Sequence, residues 1–225
     1  MRRAPLSHVA TLVALLLLPL AAEPQVGAEV EVEEGVRAEM RDGVALVADI
    51  YRPAAEGSYP VLLQRTPYNR DGGEDGAREL AGHGYIVVVQ DTRGRYDSEG
   101  VFYPFRHETD DGYDTVEWAA ALPGSSGKVG MYGGSYVGAT QMLAAMGAPP
   151  HLESIFPYVT ASEYYDGWTY QSGVFMQWFA SSWTTGLAQD TLRRDARRLA
   201  RPRDWAFRLP VDEYRLLDPP DPEVR

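Results

Sequence analysis

The 225-residue chain contains no cysteine. A disulfide-stapled scaffold is therefore excluded, and so is a bacterial lipid anchor, which needs a cysteine after the leader. A basic excess is also lacking. With 21 Lys and Arg against 32 Asp and Glu, the formal charge is −11, and no basic face is available for nucleic-acid phosphates. The longest apolar run, Val9–Ala22, is shorter than the roughly 20 residues that span a bilayer. Repeats and low-complexity segments are missing too. Apolar residues are not scarce: at 44% they exclude a disordered chain, and the length suits one large domain or slightly more.

The N-terminus reads as an export signal. Arg2 and Arg3 precede the apolar run, and small residues follow it, with Val26-Gly27-Ala28 fitting a cleavage site and Ala21 or Ala22 as rivals. Residues 1–28 are therefore expected to be a signal peptide, and the protein to be secreted or periplasmic. An uncleaved anchor is the alternative.

From there the chain alternates strands and helices. Strands are expected at Val44–Tyr51, Val61–Arg65, Tyr85–Gln90, Lys128–Tyr132 and Leu152–Val159, and helices at Ala77–Ala81, Asp110–Leu122 and Ser135–Met146. Tyr85–Gln90 is a continuous β-branched run, as a strand covered on both faces should be. This order predicts an α/β fold with a mostly parallel sheet and helices on both faces. After about Thr160 the pattern changes. Glu163–Leu199 shows no clear strand and is rich in aromatics, so a helical insertion over the sheet is expected. Six arginines between Asp190 and Asp204 read as a solvated helix face, and Leu217–Arg225 as a proline-rich linker.

One turn carries most of the chemistry. The strand ending at Tyr132 runs through Gly133-Gly134-Ser135-Tyr136-Val137-Gly138 straight into a helix. A serine at such a junction between small residues forms a nucleophile elbow: the tight turn lifts the hydroxyl off the sheet, and the helix N-terminus behind it favours developing negative charge. The second glycine stands one place later than in G-x-S-x-G. A phosphate-binding turn is the competing reading, but neither G-x-G-x-x-G nor a P-loop lysine is present.

The flanking motifs extend this reading. They are Met40-Arg41-Asp42-Gly43-Val44, Asp49-Ile50-Tyr51-Arg52-Pro53, Arg65-Thr66-Pro67-Tyr68, Val89-Gln90-Asp91-Thr92-Arg93-Gly94-Arg95, Ser98-Glu99-Gly100, Asp111-Gly112-Tyr113-Asp114-Thr115-Val116-Glu117-Trp118 and Gly127–Tyr136. In order and spacing, over roughly Val36–Thr185, they resemble the cocaine esterase / X-Pro dipeptidyl-peptidase (CocE/NonD) family of serine hydrolases, which also places its second elbow glycine late. The resemblance implies an α/β-hydrolase, with residues 29–160 as the N-terminal part of the hydrolase domain and 161–225 as the start of a helical cap. It implies Ser135 as acyl-forming nucleophile, with the Tyr136 backbone N–H and the Tyr68 hydroxyl as oxyanion donors. Asp91 and Arg93 would brace a loop. Trp168 and Trp183, fifteen residues apart, would wall an acyl pocket, with ordinary helix-core packing as the alternative. The family's amino-ester hydrolases need cap carboxylates, and here Thr169-Tyr170-Gln171 are neutral.

A general base is harder to find. The fold orders its triad serine, acid, histidine, and the one histidine after Ser135 is His151, expected at the opposite sheet edge. His83 falls at that edge as well, His107 precedes the serine, and His8 lies in the signal. Glu163 and Asp166 sit at the correct edge without a strong claim to be the acid. The expectation is therefore the N-terminal part of a longer hydrolase, with an incomplete sheet and little triad catalysis by itself. No metal or other cofactor is expected, because no His/Asp/Glu cluster has ligand spacing. The expected partner is a small ester or acyl-amide substrate, with a homo-oligomer possible and no stable membrane insertion once the signal is cleaved. X-Pro dipeptide release and a non-catalytic ligand-binding protein are the competing functions.

Overall fold

The structure, a computed structural model, describes residues 29–194. The expected signal peptide, most of the arginine cluster and the proline-rich tail lie outside the described residues.

Six strands form one sheet in the order β1-β2-β4-β3-β5-β6. They are β1 (Val30–Glu39), β2 (Ala45–Pro53), β3 (Tyr59–Thr66), β4 (Ile86–Asp91), β5 (Ser125–Gly134) and β6 (Leu152–Tyr158). β3 runs parallel to β4 and β5, and β5 parallel to β6, while β1 and β2 join antiparallel at one edge. The crossovers are α1 (Glu74–Gly82), α2 (Glu108–Ala120) and α3 (Tyr136–Met146). Each expected strand and helix of this region is present within a few residues of its predicted bounds.

β4 shows why Ile86–Val89 is apolar throughout. Ile86 and Val88 enter the main core with Val61, Leu63, Val116, Ala119, Val129, Met131 and Ala144, on the side of α2 and α3. Val87 and Val89 point the other way, against Ala77 and Ala81 of α1. A period of two with helices on both faces favours apolar residues at successive positions, and the polar Gln90 and Asp91 come at the C-terminal end, where Arg65 and Arg70 pair with them.

Two features depart from the sequence reading. β1 was not expected; its glutamates hide a strand pattern, and a bulge between Glu33 and Val36 interrupts it. Gly35 makes that bulge at φ 68, its N–H donating to Asp49 Oδ1 at 2.8 Å. The segment after Thr160 is not purely helical either. A small hairpin of β7 (Tyr170–Gln171) and β8 (Val174–Phe175) precedes α4 (Gln177–Arg194). Gly173, at φ 80, supplies the turn, and its signal was overshadowed by the surrounding aromatics. No helix among the described residues is long and apolar enough to cross a membrane.

β6 closes the sheet with an edge unpaired among the described residues. Its Phe156 and Tyr158 are 69% and 53% exposed, so the chain's sheet leaves apolar surface at this side.

Candidate active site

The C-terminal ends of the parallel strands gather the candidate residues. β5 delivers Ser135, the N-cap of α3, with φ 58 and ψ −127. Such a backbone is costly for a residue with a Cβ and persists where its surroundings hold it. The Ser135 N–H donates to Tyr158 O of β6 at 3.0 Å, and its carbonyl accepts from Gly138 N–H at 3.0 Å and Ala139 N–H at 3.1 Å. The glycines are steric requirements. A Cβ on Gly133, at φ 131, would collide with Val137, and one on Gly138 would lie 2.9 Å from Thr160 Cβ. The late glycine thus makes room for Thr160, in the segment that follows β6. The hydroxyl of Ser135 has no hydrogen-bond partner among the described residues.

Tyr136 follows as the first residue of α3, and its N–H lacks a carbonyl one turn earlier to bond. Its side chain is wholly buried. The hydroxyl donates to Glu108 Oε1 at 2.8 Å and accepts from Phe105 N–H at 2.9 Å. Burial and the adjacent Glu108 carboxylate hold its phenol well above the usual tyrosine range. Glu108 Oε2 in turn takes Arg65 Nη1 at 2.7 Å, and Arg65 Nε donates to Gln90 Oε1 at 2.9 Å. The residue after the elbow serine is therefore anchored through its side chain to a buried ionic network.

Tyr68 stands on the loop after β3, at 41% exposure. Its N–H is held by Thr66 Oγ1 at 3.0 Å, and its phenolic oxygen accepts the Trp183 indole N–H at 3.1 Å. Two residues on, Arg70 donates from its backbone to Asp91 Oδ1 at 2.9 Å and from Nη1 to Asp91 Oδ2 at 2.7 Å. Asp91 thus ties down the loop that carries Tyr68. Burial outweighs these bonds and pushes its carboxyl up to about 6. Arg93 makes a second brace, reaching Asp111 through Nε at 2.9 Å and Asp42 through Nη1 at 2.8 Å.

Trp168 and Trp183 converge in one aromatic cluster. Phe105, at φ 68, is its centre: its ring lies 4.8 Å from Tyr136, 4.5 Å from Tyr164, 5.6 Å from Trp168 and 6.1 Å from Trp183. Phe179 bridges the two tryptophans from α4. Phe105 and Glu108 escaped the sequence reading because Phe105 lies in a long loop without periodicity and Glu108 opens α2 ahead of the helix start expected at Asp110. Their one signal is proximity to the acidic first turn of α2.

Two of the three described histidines stand away from this group. His151 immediately precedes β6, and its Nδ1 lies 2.7 Å from Glu117 Oε2. Seven residues of extended strand, about 23 Å at 3.3 Å per residue, separate it from Tyr158 beside the elbow. His83 Nδ1 lies 2.7 Å from Glu79 O in the turn before β4, again at the far edge. His107 is the N-cap of α2 and makes no side-chain capping bond. Glu163 is exposed and accepts from the Tyr165 N–H at 2.7 Å, and Asp166 is exposed in the loop before β7. Among the described residues no group of three or more His, Cys, Asp or Glu side chains could hold a metal ion.

Residues 42–215 match the family described as X-Pro dipeptidyl-peptidase (S15 family). The chain belongs to that family. It is 37% identical over 175 residues to the cocaine esterase of Rhodococcus sp. (strain MB1 Bresler), an alignment covering 74% of this chain and 30% of that enzyme. Its fold is similar to a CocE/NonD family hydrolase from Staphylococcus aureus, with TM-score 0.67 and 25% identity over 80% of this chain and 39% of the other. An α-amino acid ester hydrolase superposes with TM-score 0.63 and 28% identity, covering 79% of this chain and 34% of that one. The S15-family chain is thus an α/β-hydrolase that spans about a third of the length of these relatives.

Proposed function

We propose that the chain carries the nucleophile and oxyanion donors of an exported serine hydrolase that cleaves carboxylic esters or acyl amides through an acyl-enzyme on Ser135. The observation that carries this reading is the Ser135 backbone, φ 58 and ψ −127, between two glycines whose neighbours leave no space for a Cβ. In the proposed reaction Ser135 Oγ attacks the substrate carbonyl carbon and its proton passes to a general base. The carbonyl oxygen takes up negative charge and accepts from the Tyr136 N–H and the Tyr68 O–H. The scissile C–O or C–N bond then breaks, and the proton goes to the departing alcohol or amine. Water repeats the sequence on the acyl-enzyme and frees the acid. Trp168 and Trp183 wall the acyl side, on the cap begun by residues after 160.

The base is the open part. His83 and His151 stand at the far end of the strands, and His107, at the start of α2, precedes the serine against the fold's order of serine, acid and histidine, so the reading takes its histidine and the carboxylate that orients it from outside the described residues. Residues 29–225 alone are then expected to turn over little ester. A second reading, release of X-Pro dipeptides, is favoured by the family's own description. It requires an anionic subsite for a substrate ammonium.

The test uses the intact protein isolated from the exported fraction of its source, weighed by mass spectrometry and assayed against p-nitrophenyl esters and Ala-Pro amides. Ester turnover abolished by Ser135→Ala, in a protein heavier than 24.9 kDa, is the expected result. Preference for Ala-Pro amides selects the peptidase reading. No Ser135-dependent hydrolysis of either leaves a non-catalytic binding role.

A further inference from the structure

We infer that Trp183 is a positioning residue for Tyr68: its indole N–H, held in place by an Arg95 bridge between α4 and the Tyr68 loop, fixes where the Tyr68 phenol proton points. The inference rests on the oxyanion role proposed above.

An indole nitrogen can only donate, so at 3.1 Å it takes up an acceptor site on the Tyr68 oxygen. The phenol's own hydrogen must then point elsewhere and is free to donate. A hydroxyl that accepts one hydrogen bond is polarised into a better donor. This matters because Tyr68 is 41% exposed on a loop, where an untethered ring would spread over rotamers.

The second observation is Arg95, only 1% exposed. Its Nε donates to Pro67 O at 2.8 Å, immediately before Tyr68. Its Nη1 donates to Leu187 O at 3.0 Å, one helical turn beyond Trp183, and to Thr191 Oγ1 at 3.1 Å. One buried guanidinium therefore fixes the spacing between the loop and α4 across which the indole reaches. Asp91 secures the other side of the loop through the Arg70 N–H. The cap helix thus takes part in setting the oxyanion donor, in addition to lining the acyl side.

Two measurements test this. In the 15N spectrum of tryptophan-labelled protein, the indole resonance missing from Trp183→Phe identifies Trp183. Tyr68→Phe, which changes an exposed hydroxyl and leaves the fold intact, is expected to move that resonance upfield; an unmoved resonance overturns the inference. In the intact enzyme, Trp183→Phe keeps a ring but loses the N–H. It is expected to lower kcat about tenfold with KM changed less than twofold, and to add nothing in a Tyr68→Phe background. Trp168→Phe should act independently of Tyr68. An equal loss from Trp183→Phe with and without Tyr68 would reduce Trp183 to a pocket wall. If no Ser135-dependent turnover exists, the hydrolase reading falls, and the indole shift still decides whether Trp183 orients Tyr68.

Discussion

The hydroxyl of Tyr136 and the guanidinium of Arg65 share the Glu108 carboxylate, one at each oxygen, at 2.8 Å and 2.7 Å. All three side chains are buried, and Tyr136 also receives the Phe105 N–H. Tyr136→Phe leaves a buried carboxylate oxygen and a backbone N–H without partners. We expect a loss of about 2 kcal/mol in urea unfolding, a typical cost for a broken buried hydrogen bond. A loss under half that would mean water replaces the hydroxyl.

Arg65 is the more demanding position. Its side chain is fully buried between Glu108 and Gln90, and its Nη2 sits 3.9 Å from Asp111 Oδ2 without a hydrogen bond. Arg65→Met strands the Glu108 charge in the core. The expected cost is about 3–5 kcal/mol by the same measurement. Recovery in Arg65→Met/Glu108→Gln would show that the stranded charge, and not lost packing, is the cause.

The elbow stores strain that a glycine would release. A non-glycine residue at a conformation like that of Ser135 costs about 1–3 kcal/mol, while glycine's extra unfolded-state freedom costs about 0.5–1 kcal/mol. Ser135→Gly should therefore be about 1 kcal/mol more stable than Ser135→Ala, a variant that keeps the Cβ. Equal melting temperatures for the two would show that the turn is relaxed.

Asp91 makes a pH prediction with a definite sign. Burial raises its carboxyl to about 6 from an ordinary 3.8, so the folded state binds the proton more tightly than the unfolded one. Its contribution to stability is present below about pH 4 and is lost as pH rises through about 6. The stability of the wild type relative to Asp91→Asn should fall across that interval and level off above it. A gap that widens with rising pH would show that the Arg70 ion pair outweighs desolvation.

Much of the molecule was legible in advance for local reasons. The run Tyr85–Gln90 could only be a strand covered on both faces, and Gly133, Ser135 and Gly138 marked a sharp strand-to-helix turn, because such backbone demands small residues there. β1 was missed because an edge strand needs apolar residues on one face only, and its glutamates obscure the rest. The β7–β8 hairpin was missed because two-residue strands have no period to detect. Phe105 and Glu108 were invisible because their roles depend on partners 28 to 43 residues away, at Tyr136 and Arg65.

The sequence by itself determined the order of elements, the family, the elbow, and which residue types could react. The elements and the elbow follow from local periodicity and from steric demands within a few residues, and the family from the resemblance of motifs spread over Val36–Thr185. Only tertiary structure decided that Asp91 pins the Tyr68 loop through Arg70, that Glu108 locks Tyr136, and that Trp183 reaches Tyr68 across 115 positions of chain. Those contacts depend on how the crossovers and α4 lie against the sheet. That packing is set by burial summed over the whole core and leaves no trace at the contact residues themselves.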